Sequence, residues 1–190
     1  MAESDAGVPV WLLDIDGVVN VNADRPDRRI WPEWVTAEVA NPNGIVYPML
    51  AATAVIDFLA RVHEQGAAEI RWHTTWQQGA LAVGEALGLP RFVVQRIPQP
   101  ATTNPDRDPN WDTSVNSSFG AGWWKYPVAE HVVHEEGRRL IWTDDDASIR
   151  LGPAEQERLE GSLVVAPTME VGLTRDDLDR IAEYCGLEPA

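Results

Sequence analysis

The stretch Val10-Trp11-Leu12-Leu13-Asp14-Ile15-Asp16-Gly17-Val18-Val19-Asn20 constrains this chain more than any other. An apolar run bounded by a turn signal reads as a short buried strand. This one ends in two carboxylates two residues apart, then a glycine. Residues two apart on a strand point the same way. Asp14 and Asp16 are therefore expected to converge if the chain stays extended through Ile15 or curls just after Asp14. Carboxylates that close raise each other's pKa unless a cation sits between them. Hard divalent cations such as Mg2+ take oxygen ligands and leave positions for a substrate phosphate. Gly17 permits a sharp turn or a close approach to a ligand. A strand capped by a polar turn explains the same residues, since Asp and Gly are common in turns, so the rest of the chain must decide.

Further strands are expected at 68–73, ending at Thr74-Thr75, at 91–95, at 139–143, running into Asp144-Asp145-Asp146, and at 163–166. Residues 20–47 read as a loop plus a small hairpin flap, with Asn43-Gly44 as its turn signal. Pro48 is expected to open a helix, a position that proline tolerates. Leu50, Val55, Phe58, Leu59 and Val62 form its apolar stripe, and Gly66 stops it. Shorter helices are expected over 77–87, from Lys125 to Gly137, and over 153–159. Thr174 with Asp177 three residues on forms a capping box for a last helix that buries Leu178, Ile181 and Ala182. Residues 96–122, rich in Pro, Asn, Ser and Gly, form an irregular, lid-like loop.

Strands alternating with helices imply an α/β domain: a mostly parallel five-stranded sheet with helices on both faces. Ligands of such sheets bind beyond the carboxyl ends of the strands. Three strands end there in polar clusters, Asp14/Asp16, Thr74/Thr75 and Asp144/Asp145/Asp146. Turns alone do not account for that coincidence.

The 190 residues suit a single domain, residues 1–190, with no large cap inserted. A formal net charge of −15 argues against wrapping duplex nucleic acid, which needs a basic footprint. It leaves room for a small phosphorylated ligand. The single cysteine, Cys185, excludes an internal disulfide and a thiolate metal cluster. With no basic leader and no apolar run of membrane-spanning length, the expectation is a cytoplasmic protein without a membrane partner.

The set of motifs resembles the haloacid dehalogenase (HAD) superfamily. LLDIDGVVN, IRWHTTW, WWKYP and LIWTDDDAS correspond in order to its four motifs. The tryptophans within these motifs and the closing VGLTRDDL resemble more narrowly a group of actinobacterial HAD domains, related to the HAD module associated with RNA-repair proteins. The resemblance implies a Rossmann-like fold and an Mg2+-dependent phosphatase. Asp14 would be the nucleophile, forming an aspartyl-phosphate, and Asp16 the general acid/base. Asp14 and the carbonyl of Asp16 would ligate Mg2+. Asp145 is the choice for the later metal ligand, with Asp144 beside it as ligand or support. Thr74, with Thr75 as runner-up, would bind a phosphate oxygen. Lys125, the chain's only lysine, would neutralise both nucleophile and phosphoryl group. Trp76 is the aromatic candidate for substrate contact. The implied substrate is a nucleotide or a nucleic-acid phosphate end. A small phosphometabolite, or phospholigand binding without catalysis, is the alternative.

Three other signals are set aside. His131 and His134 have metal-like spacing but no further Cys or His partner. Asp106, Asp108, Asn110 and Asp112 are spaced like a calcium loop, but Trp111 stands where that loop needs glycine. Asn116-Ser117-Ser118 fits a glycosylation acceptor but lacks a secretion signal. Trp31, Trp34, Trp76, Trp111, Trp123 and Trp124 serve either as core and lid packing or as a stacking platform for an aromatic substrate.

Overall fold

A computed structural model describes residues 7–41, 44–96 and 123–189 of the chain. Strand β1, Val10–Leu13, lies at the centre of a five-stranded parallel sheet. On one side of it run β4, Glu69–Trp72, and β5, Val93–Val94. On the other run β6, Leu140–Thr143, and β7, Leu163–Val165. The spatial order is therefore β5-β4-β1-β6-β7. The chain first builds outward from β1 to β5, then crosses back to β6. That reversal puts a crevice beyond the carboxyl end of β1, where open α/β sheets bind ligands.

Side-chain alternation makes β1 fully buried, because both its faces are covered. Trp11 and Leu13 point into one core, shared with α1 (Thr53–Glu64), α2 (Ala80–Ala86) and α6 (Arg175–Cys185). Val10 and Leu12 point into the other, with Val128, Ala129 and Val132 of α3 (Lys125–His134). Ala147, Leu151 and Leu159 close that second core. They come from the first residue and the C-cap of α4 (Ala147–Arg150) and from the C-cap of α5 (Pro153–Arg158). The fold is thus Rossmann-like, with helices on both faces. The α6 cap forms as expected: Thr174 accepts from the Asp177 amide and Asp177 reaches back to the Thr174 amide.

One expected boundary is wrong. Pro48 does not open a helix; it lies in β3, Val46–Ala52, which pairs antiparallel with β2, Trp34–Ala40. The Leu50 amide and carbonyl face away from β2, toward the Asn20 side chain and the Val21 amide. Pro48, two residues earlier, shares that outward edge, so its missing N–H costs no ladder bond. The hairpin consequently runs to residue 52, and α1 starts at Thr53. Leu50 leaves the helical stripe, while Val55, Phe58, Leu59 and Val62 keep it, joined by Ile56. Strand β5 is only two residues long, shorter than expected, and α4 was not anticipated at all. The proposed turn residue Asn43, the lid-like segment 97–122 with Trp111 and its calcium-like spacing, and the Asn116 acceptor lie outside the described residues. No helix among the described residues is long and apolar enough to cross a membrane.

Candidate functional site

Strand parity assembles the polar edge. Val10 and Leu12 face the α3 side of the sheet, so Asp14 follows them there. Leu140 and Trp142 on β6 face the same way, so Asp144 does too. Register puts the two acids side by side, because Leu13 pairs with Thr143. Backbone pairing continues one residue past each strand end. Asp14 N–H donates to the Thr143 carbonyl at 3.1 Å, and Asp144 N–H to the Val165 carbonyl at 3.1 Å. The carboxylates therefore leave a rigid frame.

Lys125 is the first residue of α3, the helix that covers this face. Its ammonium bonds the Oδ2 atoms of both Asp14 and Asp144, the latter at 2.5 Å. Asp14 Oδ1 also accepts from the Ile15 amide at 2.7 Å. Lys125, Asp14 and Asp144 are all buried. Asp145 completes the cluster: one oxygen from each of Asp14, Asp144 and Asp145 lies within 4.8 Å of the others. Among the described residues this is the one group of three or more His, Cys, Asp or Glu side chains able to hold an ion. Three carboxylates against one ammonium leave two negative charges in a largely dry place. Burial opposes the charged form of Lys125, but Asp14 and Asp144 outweigh it and hold its pKa above the usual lysine value. Burial, then the charge of Asp14, pushes Asp144 up to about 8 despite its contact with Lys125. The same two causes, in the same order, raise Asp145 to about 6. Without a cation the cluster thus favours taking up a proton, with which a hard divalent ion on these oxygens would compete. The donor set fits such an ion.

Asp16 departs from the expected convergence. Pairing stops at the Asp14 amide, and the amides of Val18, Val19 and Asn20 all turn back onto the Ile15 carbonyl. Gly17 takes a left-handed φ of 72°, and a Cβ there would sit 2.5 Å from Asp145 Cγ. The Asp16 side chain is exposed and swings away from the cluster. Its Oδ2 accepts from the Trp76 indole at 2.8 Å and its Oδ1 from the Asn20 amide at 2.9 Å.

The second motif borders this group. His73 N–H donates to the Leu13 carbonyl at 2.7 Å, which brings Thr74 to the same edge. Thr74 is buried and Thr75 exposed. Trp76 is buried, edge-on to Tyr47 of the hairpin at 5.3 Å. It therefore meets the site through its N–H. Gln77 follows in a left-handed conformation, φ 48°, and its side-chain amide donates to the Thr74 carbonyl at 2.8 Å. A non-glycine residue so placed marks local strain, which tends to gather at functional sites. The remaining tryptophans pack: Trp31 donates to the Leu173 carbonyl, Trp34 to the Trp31 carbonyl, and Trp123 stacks on Trp142. Trp124 meets His73 edge-on. His131 and His134 lie exposed on α3.

Asn20, His73 and Gln77 were not singled out from sequence. Asn20 carried a faint signal, four residues after Asp16 in the same motif. Set against protein-family models, curated proteins and solved structures, the chain matches none.

Proposed function

We propose that the protein is a phosphomonoester hydrolase of the HAD type, Mg2+-dependent and working through an aspartyl-phosphate at Asp14. The observation that carries this reading is the bridge of Lys125 between Asp14 and Asp144, with Asp145 within ion-sharing distance. A structural ion pair needs one acid and one base. Three acids and one base, buried at the crevice of a parallel sheet, suit a cation and an anionic substrate together.

Asp14, Asp144 and Asp145 would hold the ion, with the main-chain carbonyl of Asp16 as a further oxygen. A bound divalent ion supplies positive charge that lets a carboxylate approach an anionic phosphate. Lys125 orients Asp14 and neutralises charge on the transferring phosphoryl group. An Asp14 oxygen attacks phosphorus, and the bond from phosphorus to the leaving oxygen breaks. Asp16 gives that oxygen its proton, so the product leaves as an alcohol. Water then gives a proton to Asp16 and attacks phosphorus, releasing phosphate and restoring Asp14. Trp76 and Asn20 fix the Asp16 carboxylate for both transfers. Thr74 holds a phosphate oxygen.

The test is hydrolysis of p-nitrophenyl phosphate with Mg2+. Asp14→Asn is expected to lose at least about a thousandfold in kcat, as removal of a covalent nucleophile does. Asp16→Ala is expected to abolish turnover while the protein still folds. Equal rates in wild type and Asp14→Asn would overturn the reading in favour of phospholigand binding.

A further inference from the structure

We propose that the leaving group accepted by this site is a small alcohol bearing an ammonium, and that polyanions such as nucleic-acid ends are excluded. This inference rests on the hydrolase reading and concerns the cleft beside it. A cleft of about 800 Å³ runs between the loop that follows Asp16 and one face of the β2–β3 hairpin. That volume is typical of small-molecule sites. Asn20 joins the two places: it lines the cleft, and its amide donates to Asp16 Oδ1 at 2.9 Å. A phosphate ester whose leaving oxygen meets Asp16 therefore has this cleft as the adjacent space for the rest of the molecule.

The walls set what that remainder can be. Asn20, Asn22 and Thr36 offer neutral donors and acceptors, and Asp24 and Glu38 offer two exposed carboxylates. Among the described residues, no lysine, arginine or histidine lines the cleft. Arg25 sits between two wall residues but is not itself part of the wall, and Arg29 is spent on Asp27. A second phosphate, a carboxylate or a polynucleotide backbone would enter beside like charges with no counter-charge. Phosphate chains are bound by basic footprints, and here the local and the global charge are both negative. An ammonium meets the opposite situation, with hydroxyl-binding amides beside it. Because the two carboxylates are exposed, each contributes only a few-fold.

The experiment compares aminobutyl, hydroxybutyl and carboxypropyl phosphate, matched in length and differing in charge, with p-nitrophenyl phosphate as reference. In wild type, kcat/KM for aminobutyl phosphate should exceed that for hydroxybutyl phosphate by about fivefold. Carboxypropyl phosphate and a phosphorylated dinucleotide should be slowest. An Asp24→Asn, Glu38→Gln double variant should bring the first ratio to about one and leave p-nitrophenyl phosphate hydrolysis unchanged. A wild-type ratio of one, a ratio unmoved in the variant, or a preference for the anionic esters overturns the proposal while the hydrolase reading stands. If no ester is hydrolysed, the hydrolase reading falls, and calorimetric binding of the three esters decides the cleft separately. Tighter binding of the aminobutyl ester, lost in the double variant, supports the proposal; equal binding, or none, overturns it.

Discussion

His73 has two ring nitrogens and, among the described residues, neither has a hydrogen-bond partner. It is fully buried, with its ring edge-on to Trp124 at 4.9 Å and tilted against Trp142 at 5.9 Å. Burial, then the nearby charge of Lys125, holds its pKa well below the usual histidine value. A buried polar atom without a partner costs about 1–3 kcal/mol. His73→Leu is therefore expected to hold or raise stability, by up to about 1 kcal/mol once imperfect repacking is allowed for. A urea midpoint lowered by the equivalent of more than about 2 kcal/mol would show instead that the ring is satisfied. The acidic residues of the cluster were legible because each ends an apolar run, where a polar residue has few structural reasons to be. His73 was not, because it sits inside a strand-like run and its isolation depends on Trp124 and Trp142, far along the chain. Asn20 escaped for the same reason. It accepts from the Leu50 amide, thirty residues on, a contact that no local pattern announces.

Among the elements, the hairpin shows where local pattern fails. Proline is tolerated both at a helix start and on a strand's outer edge. The choice at Pro48 was made by Asn20 and Val21, which take up the outward amide and carbonyl of Leu50. The parallel strands were easier, since burial on both faces leaves an unbroken apolar run. Trp76 matters at this scale because it links the turn after β4 to the loop after β1. Trp76→Phe keeps an aromatic ring at the position facing Tyr47 but removes the N–H that orients Asp16, along with part of the buried ring volume. We expect kcat to fall about tenfold with KM for p-nitrophenyl phosphate little changed, since the lost contact guides proton transfer more than phosphate binding. Equal effects on kcat and KM, or none on either, would detach the indole from Asp16's role. At the start of α6, Thr174→Ala removes the capping oxygen and should cost about 1 kcal/mol in denaturant unfolding, with activity retained.

For the whole molecule, the excess charge of the acid cluster links stability to pH and to cations. A carboxyl whose folded pKa is raised favours the folded state at low pH, and that advantage is lost as pH rises through the folded value. For Asp145, raised from 3.8 to about 6, the loss runs over pH 4–6. For Asp144, raised from 3.8 to about 8, it continues to about pH 8. His73 acts oppositely and lower: its depressed pKa lowers stability as pH falls below 6.5, the ordinary histidine value. Between pH 6.5 and 8 the Asp144 contribution is therefore unopposed. In chelator, the protein should lose on the order of 1 kcal/mol across that window, or about 2–4 °C in Tm for a chain of this size. A divalent cation on the cluster ionises Asp144 at every pH in the window, so Mg2+ should abolish the slope. The rise in Tm on adding Mg2+ should accordingly be larger at pH 8 than at pH 6.5, because at the lower pH the ion must first displace a proton. Asp144→Asn should flatten the chelator profile and shrink the Mg2+ increment together. A wild-type Tm that is level from pH 6.5 to 8 in chelator, or a Mg2+ increment independent of pH, would mean that the three carboxylates do not share their charge as their geometry requires.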